Sequence, residues 1–258
     1  MRKGIHFLFG AKEPVADFRA IIDRFSDIGY TCVELPPEPF MDDKKAAKDI
    51  VNYAASKNVE IIFSCGFPAD CDMASDSEFV RLNGRRYLNN ILDVMEYAKI
   101  SFLGGTFYTR WPSYRTQILT CEEKRSFTER TADCLRESVS TLEDRGITLA
   151  IEPLNRFEGF LINTAEEGTA FCDLVGNKQL GIMLDVFHMS MEEDNIFSAI
   201  LKSGKYLKHL HLAENNRKLP GTGSFDWRKF FISLKNIGYC YRLDTESFIT
   251  AEGSVSAS

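Results

Sequence analysis

The chain has no apolar run approaching the roughly 20 residues of a membrane span. It has no block or stripe of Lys and Arg either. Net charge is −6 with both signs interspersed, so neither a membrane nor a nucleic acid is an expected partner. The N-terminus begins Met1-Arg2-Lys3, but its apolar stretch is short and runs into Pro14 and an acidic segment, unlike a signal peptide. The seven cysteines, at 32, 65, 71, 121, 134, 172 and 240, include no CxxC pair. An odd, scattered set reads as reduced buried thiols in a cytoplasmic protein. No GxGxxG follows the first apolar run, where Gly10 to Pro14 stand instead; that counts against a doubly wound open sheet. No linker, repeat or low-complexity segment divides residues 1–258, so one domain is expected, with a frayed GSVSAS tail.

Two alternating patterns fill the chain. Short runs rich in β-branched and aromatic residues give way to longer stretches of helical period. The expected strands are Gly4 to Phe9, Thr31 to Leu35, Glu60 to Ser64, Phe102 to Thr106, Thr148 to Ile151, Leu180 to Asp185, Tyr206 to Leu212 and Arg242 to Glu246. The expected helices are about 15–28, 43–57, 77–99, 121–144, 164–175, 194–202 and 226–236. The first carries an apolar stripe of Ala16, Ile21, Ile22, Phe25 and Ile28 and stops at Gly29. Eight strands alternating with helices describe an α/β (β/α)8 or TIM barrel. Only about a dozen residues follow Glu246, so the eighth helix is expected to be missing or truncated. An uncovered last strand would favour self-association.

The chemistry sits at strand ends. The run Thr148 to Ile151 ends on Glu152, and Pro153, which has no N–H for a ladder, stops it. Three later strands repeat the theme and end on Asp185, His211 and Glu246. The intervals are 33, 26 and 35 residues, each one strand-plus-helix unit, so the four groups stand on successive strands at the C-terminal rim. Parity agrees: Ala150 with Glu152, Met183 with Asp185 and His209 with His211 face inward, while Leu149, Ile151, Ile182, Leu184, Leu210 and Leu212 face the helices. Three carboxylates and an imidazole make an oxygen-rich set suited to Mn²⁺, Co²⁺ or Mg²⁺. Taken singly, each acid has a plain structural reading, such as a pair between Glu246 and Arg242. Four at one-unit spacing favour a metal site.

These blocks carry a resemblance. EPLNRFEGFLINTAEEG, LDVFHMSMEED, HLHLAENNRKLPGTG and GYCYRLDTESFITAEGSVS resemble the corresponding stretches of the D-tagatose and D-psicose (D-allulose) 3-epimerase family, in the xylose-isomerase-like barrel superfamily. The likeness is tightest between about 147 and 238 and collinear before that. It implies a metal-dependent isomerase that interconverts free ketoses at C3 through a cis-enediolate. One divalent ion per subunit would be held by Glu152, Asp185, His211 and Glu246, with Glu152 and Glu246 as the acid/base pair. It further implies that Glu158, His188 and Arg217 hold the O1–O3 end of the sugar, and that the subunits form homodimers or homotetramers. The aromatics Phe9, Phe67, Tyr108 and Trp111 would wall the far end. His209, a layer deeper, reads as core beside the inward-facing Asp244.

Two departures stand out. Strand one reads IHFLFG, where the family carries more Tyr and Trp. Strand eight reads DTESF, with Asp244 inward and no proline after Glu246. A hydroxypyruvate isomerase or a sugar-phosphate isomerase or epimerase would share the four ligands, an inosose dehydratase would share the scaffold, and a barrel that binds sugar without turnover is a further alternative. The multi-metal DNA-repair endonucleases of the superfamily need more than the four histidines present.

Overall fold

The computed structural model describes residues 1–9 and 17–247. Eight parallel strands close on themselves in sequence order, β1 (Arg2–His6), β2 (Cys32–Leu35), β3 (Glu60–Phe67), β4 (Phe102–Arg110), β5 (Thr148–Ile151), β6 (Leu180–Asp185), β7 (Leu207–Leu212) and β8 (Arg242–Thr245). The closing pair aligns Arg2 with Arg242 and Gly4 with Asp244. Helices α1 (Phe18–Asp27), α2 (Lys44–Ser56), α3 (Glu78–Ala98), α4 (Cys121–Val139), the one-turn α5 (Leu142–Arg145), α6 (Ala165–Val175), α7 (Val186–Glu192), α8 (Ile196–Ser203) and α9 (Trp227–Asn236) lie between the strands. Among the described residues no helix is long and apolar enough to cross a membrane. The expected start of the first helix at 15–16, the Gly10–Pro14 turn and whatever follows Ser247, including the expected loss of an eighth helix, lie outside the described residues.

Each boundary has a local cause. The Asp17 carboxylate accepts the Arg19 and Ala20 N–H groups and starts α1. Thr120 and Glu123 cap α4 reciprocally. Thr164 and Asp226 cap α6 and α9. The apolar stripe of α1 is Phe18, Ile21, Ile22 and Phe25. Ile28 does not belong to it: it sits at the C-cap, 63% exposed, and Gly29 at φ +94° turns the chain away. Strand one ends sooner than expected, at His6, because Phe7–Phe9 wind into a 3₁₀ turn. Strands three and four run longer, to Phe67 and Arg110. The helix expected over 121–144 breaks at Ser140 and Thr141 into α4 and α5. One helix was not expected at all: α7 begins directly after Asp185. All seven cysteines are free thiols.

Alternation within the strands divides the apolar residues into two clusters. Leu149, Ile151, Ile182, Leu184, Leu210 and Leu212 pack outward with the helices. Cys32, Ile62, Phe102, Ala150 and Met183 fill the barrel interior as a separate group. Space inside is tight. A Cβ on Gly4 would fall 1.8 Å from the Asp244 carboxylate, and one on Gly104 would fall 2.6 Å from Met183 Sδ. Glycine at those two points is what lets the ring close around polar and bulky neighbours.

The N-terminal end is held by charge. Glu60, at the start of β3, accepts hydrogen bonds from Arg242 on β8 and Arg2 on β1. Arg242 therefore does not pair with Glu246, which lies at the opposite end of its strand. Burial pushes the Glu60 carboxyl up, but Arg242 and then Arg2 outweigh it and hold it below its ordinary value. A carboxyl depressed in the folded state contributes stability above its unfolded pKa and loses it as the pH falls through the folded one. Glu60→Gln is expected to lower the unfolding free energy by about 2 kcal/mol at pH 7. The difference from the wild type should shrink at pH 3, as the folded-state carboxyl takes up its proton. Urea titrations at the two pH values measure both numbers, and an equal gap at each would show that the charge is immaterial.

Candidate active site

The four strand-end groups converge. One ligand atom from each of Glu152, Asp185, His211 and Glu246 lies within 4.8 Å of the others, at the floor of a cavity of about 850 Å³ on the C-terminal side of the barrel. Asp185 and His211 are fully buried and Glu152 nearly so. Their aim is set by neighbours. The new helix α7 places its N-terminus on Asp185: Oδ1 accepts the Phe187 N–H at 2.8 Å, leaving Oδ2 for the site. His211 Nε2 meets Glu34 Oε2 at 2.8 Å. A carboxylate only accepts, so that nitrogen carries hydrogen and Nδ1 is the one that faces the cluster, 3.0 Å from Glu246 and 3.7 Å from Glu152.

Glu34 was missed by the sequence reading. It is a charged residue near the end of an apolar run on β2, the same signal that marked Glu152, and it is completely buried. Burial pushes its carboxyl up, but the imidazoles of His211 and His209 outweigh that and hold it far below the usual range. A carboxylate behind a histidine is the arrangement that orients metal-binding imidazoles.

His188 lies beside the cluster, its Nε2 3.9 Å from both Glu152 and Asp185. The Asn155 backbone and side-chain N–H groups both point at His188 Nδ1, at 3.3 and 2.7 Å. Nδ1 is thereby an acceptor, and the hydrogen sits on Nε2, facing the cavity. Asn155 also donates to Glu158 Oε1 at 2.8 Å, and Trp111 Nε1 donates to Glu158 Oε2 at 3.3 Å. Glu158, His188 and Trp111 thus form one polar chain along the wall.

Arg217 reaches the cavity from the loop after β7. Its guanidinium donates to Asp185 and, at 2.6 Å, to Glu246, and it lies 4.6 Å from the Phe187 ring centre. It takes φ +65° in a loop stapled by Glu214. That buried carboxylate accepts Gly221 N–H and Trp227 Nε1–H, both at 2.7 Å. Glu214 looks in sequence like another strand-end ligand, yet its work is to shape the loop.

The aromatic wall is mostly corrected. The 3₁₀ turn carries Phe9 away from the cavity lining to half-burial, with its ring 6.5 Å from Phe25 of α1. Phe67 packs edge-on against Tyr87 of α3, and the Tyr108 hydroxyl donates to the Glu152 carbonyl at 2.8 Å. Trp111 remains, joined by His6, Phe7, Leu8, Pro36 and Pro39. Beneath the site His209 and Asp244 are neighbours at 3.9 Å without a hydrogen bond between them. Burial, then Glu34, pushes the Asp244 carboxyl well above its ordinary value.

The donor set fits a divalent cation. Glu152 Oε1 and His211 Nδ1 are buried with no hydrogen-bond partner among the described residues. Three carboxylates in one buried space call for more positive charge than a hydroxyl or an amide supplies. The two glutamates are also driven apart. Burial raises Glu152. In Glu246, Arg217 and then His211 outweigh burial and hold the carboxyl well below its usual range.

Comparison with known proteins agrees with this geometry. A family model described as xylose isomerase-like TIM barrel matches residues 22–256. The chain is 32% identical to a D-psicose 3-epimerase of Ruminiclostridium cellulolyticum, over 100% of this chain and 87% of that protein. It is 29% identical to an L-ribulose 3-epimerase of Mesorhizobium japonicum, over 96% of this chain and 81% of that one. The crystal structure of the D-psicose 3-epimerase with D-tagatose from Clostridium cellulolyticum H10 matches with a TM-score of 0.92 at 31% identity, covering 97% and 86% of the two chains. With its fold, its strand-end cluster and these relatives in agreement, the chain belongs to the xylose isomerase-like TIM barrel family and, within it, to the D-psicose 3-epimerase family.

Proposed function

We propose that this protein is a divalent-metal-dependent ketose 3-epimerase acting on free ketohexoses or ketopentoses, with Mn²⁺ or Co²⁺ as its ion. The observation that carries the reading is the pair of carboxylates Glu152 and Glu246, three strands apart on the ring, whose oxygens approach one point from β5 and from the end of β8. The relatives named for D-psicose and L-ribulose support the substrate class.

An ion held by Glu152, Asp185, His211 and Glu246 would act as a Lewis acid on the ketose O2 and O3 and make the C3–H bond acidic. The residues do the rest. Glu246, kept ionised, takes the C3 proton; the C–H electron pair moves into a C2–C3 double bond, giving a cis-enediolate. Glu152, on the opposite face, is the acid that returns a proton to C3, which inverts that carbon. The reverse direction exchanges the two roles. His188 donates its Nε2–H to the oxygen that gains charge, and the Asn155–Glu158 chain keeps that ring in the required tautomer. Arg217 balances the negative charge of the floor.

In D₂O, the Mn²⁺- or Co²⁺-loaded protein is expected to place deuterium at C3 of D-psicose, D-tagatose or D-fructose and to form the C3 epimer. Glu246→Gln and Glu152→Gln should each slow this by about a thousandfold. Metal binding with no label on any free ketose would overturn the reading. A second expectation concerns Glu34. Glu34→Gln should weaken Mn²⁺ binding by about 10- to 100-fold, read by calorimetry without any sugar. Unchanged affinity would mean that Glu34 does not orient His211 as a ligand.

A further inference from the structure

The cavity has two unlike sides. The floor and one wall, from β5 to β8, carry the acid/base carboxylates, His188 and Arg217. Facing them is Glu38, from the Pro36–Phe40 segment after β2, which lies opposite β6 on an eight-strand ring. It was not singled out in the sequence, and the floor has no use for it. Its Oε1 accepts the Tyr87 hydroxyl at 3.2 Å. The Tyr87 ring is itself set edge-on against Phe67, with centroids 4.9 Å apart. A carboxylate has about four acceptor sites, so one tyrosine hydroxyl leaves most of its capacity for a ligand. Among the described residues that line the cavity, Arg217 is the one fixed cation, and it faces Asp185 and Glu246.

Resting on the ketose reading above, we propose that Glu38 is the specificity-determining residue for the end of the sugar remote from the reacting carbon. It accepts hydrogen bonds from the terminal hydroxyls of a neutral polyol chain and rejects a terminal phosphate. The argument is one of charge. A hydroxyl donates to a carboxylate, and charge-assisted bonds of this kind are roughly twice as strong as neutral ones. A phosphate is acceptor-only when ionised and would meet Glu38 as a like charge, a contact that discriminates by repulsion. The group that selects this end stands away from the site of proton transfer, so its effect belongs to binding.

The test compares a ketohexose, its 6-phosphate and a ketotetrose, which has no hydroxyl beyond C4. Glu38→Ala should raise KM for the ketohexose about tenfold, as expected for loss of a hydrogen bond to a charged group, with kcat changed by about twofold or less. For the ketotetrose the rise in KM should shrink to about twofold or less. Glu38→Lys should improve kcat/KM for the 6-phosphate about tenfold over the wild type while weakening the free ketohexose. Glu38→Gln keeps the shape that meets Tyr87. A melting temperature lowered in Ala but not in Gln identifies any structural share. An equal loss on all three substrates, or a loss confined to kcat, would overturn the assignment. Dissociation constants from calorimetry carry the same ratios, so Glu38 is judged even without turnover. A wild type that exchanges no C3 hydrogen in any ketose overturns the epimerase reading instead.

Discussion

Everything at the top of this barrel answers one electrostatic problem. Glu152, Asp185 and Glu246 bring three carboxylates into a space a few ångströms across, nearly closed to water. Two like charges about 4 Å apart repel by about 4 kcal/mol at an effective dielectric near 20, and desolvation adds to that. The cluster persists only with positive charge among it. Protein supplies part of that charge through Arg217, and the geometry suits a divalent ion for the remainder. The same confinement separates the two glutamates, because Glu246 lies against the guanidinium and Glu152 does not share it as closely.

Holding those charges takes a scaffold of supporting groups. The α7 N-terminus turns one oxygen of Asp185 away from the site. Glu34, reaching across the interior from β2, decides which nitrogen of His211 faces the cluster. Asn155 does the same for His188, and Glu214 folds the loop that delivers Arg217. At the other end of the barrel Glu60 ties β1, β3 and β8 together. That clamp matters because Glu246 lies one residue beyond β8, and any slip of that strand against β1 would move a carboxylate out of the cluster.

Chain order and strand parity were legible from residues alone. The edges of β5 and β6 fall where the apolar runs and Pro153 place them. The convergence of the four strand-end groups was legible too, since a charge that ends an apolar run has few other uses, and the spacing repeats with the unit. What escaped was of two kinds. Helix α7 escaped because Val186–Glu192 is too short for its period to stand out beside a strand end. Phe9 was misplaced because a 3₁₀ turn has a different period from a strand, and three residues of it rotate a side chain to another face.

Sequence by itself determined the alternation of strands and helices, the inward parity and the four groups at successive strand ends, because all of these are local patterns with a fixed period. Only tertiary structure decided which partners those groups meet. Glu34 and His211 are 177 residues apart, and Arg217 lies 32 residues from Asp185 and 29 from Glu246. Closure of the ring brings them together, and no local period encodes that closure. The cavity has the same origin: Glu38 and Glu152 line one space only because β2 and β5 are curved into one barrel.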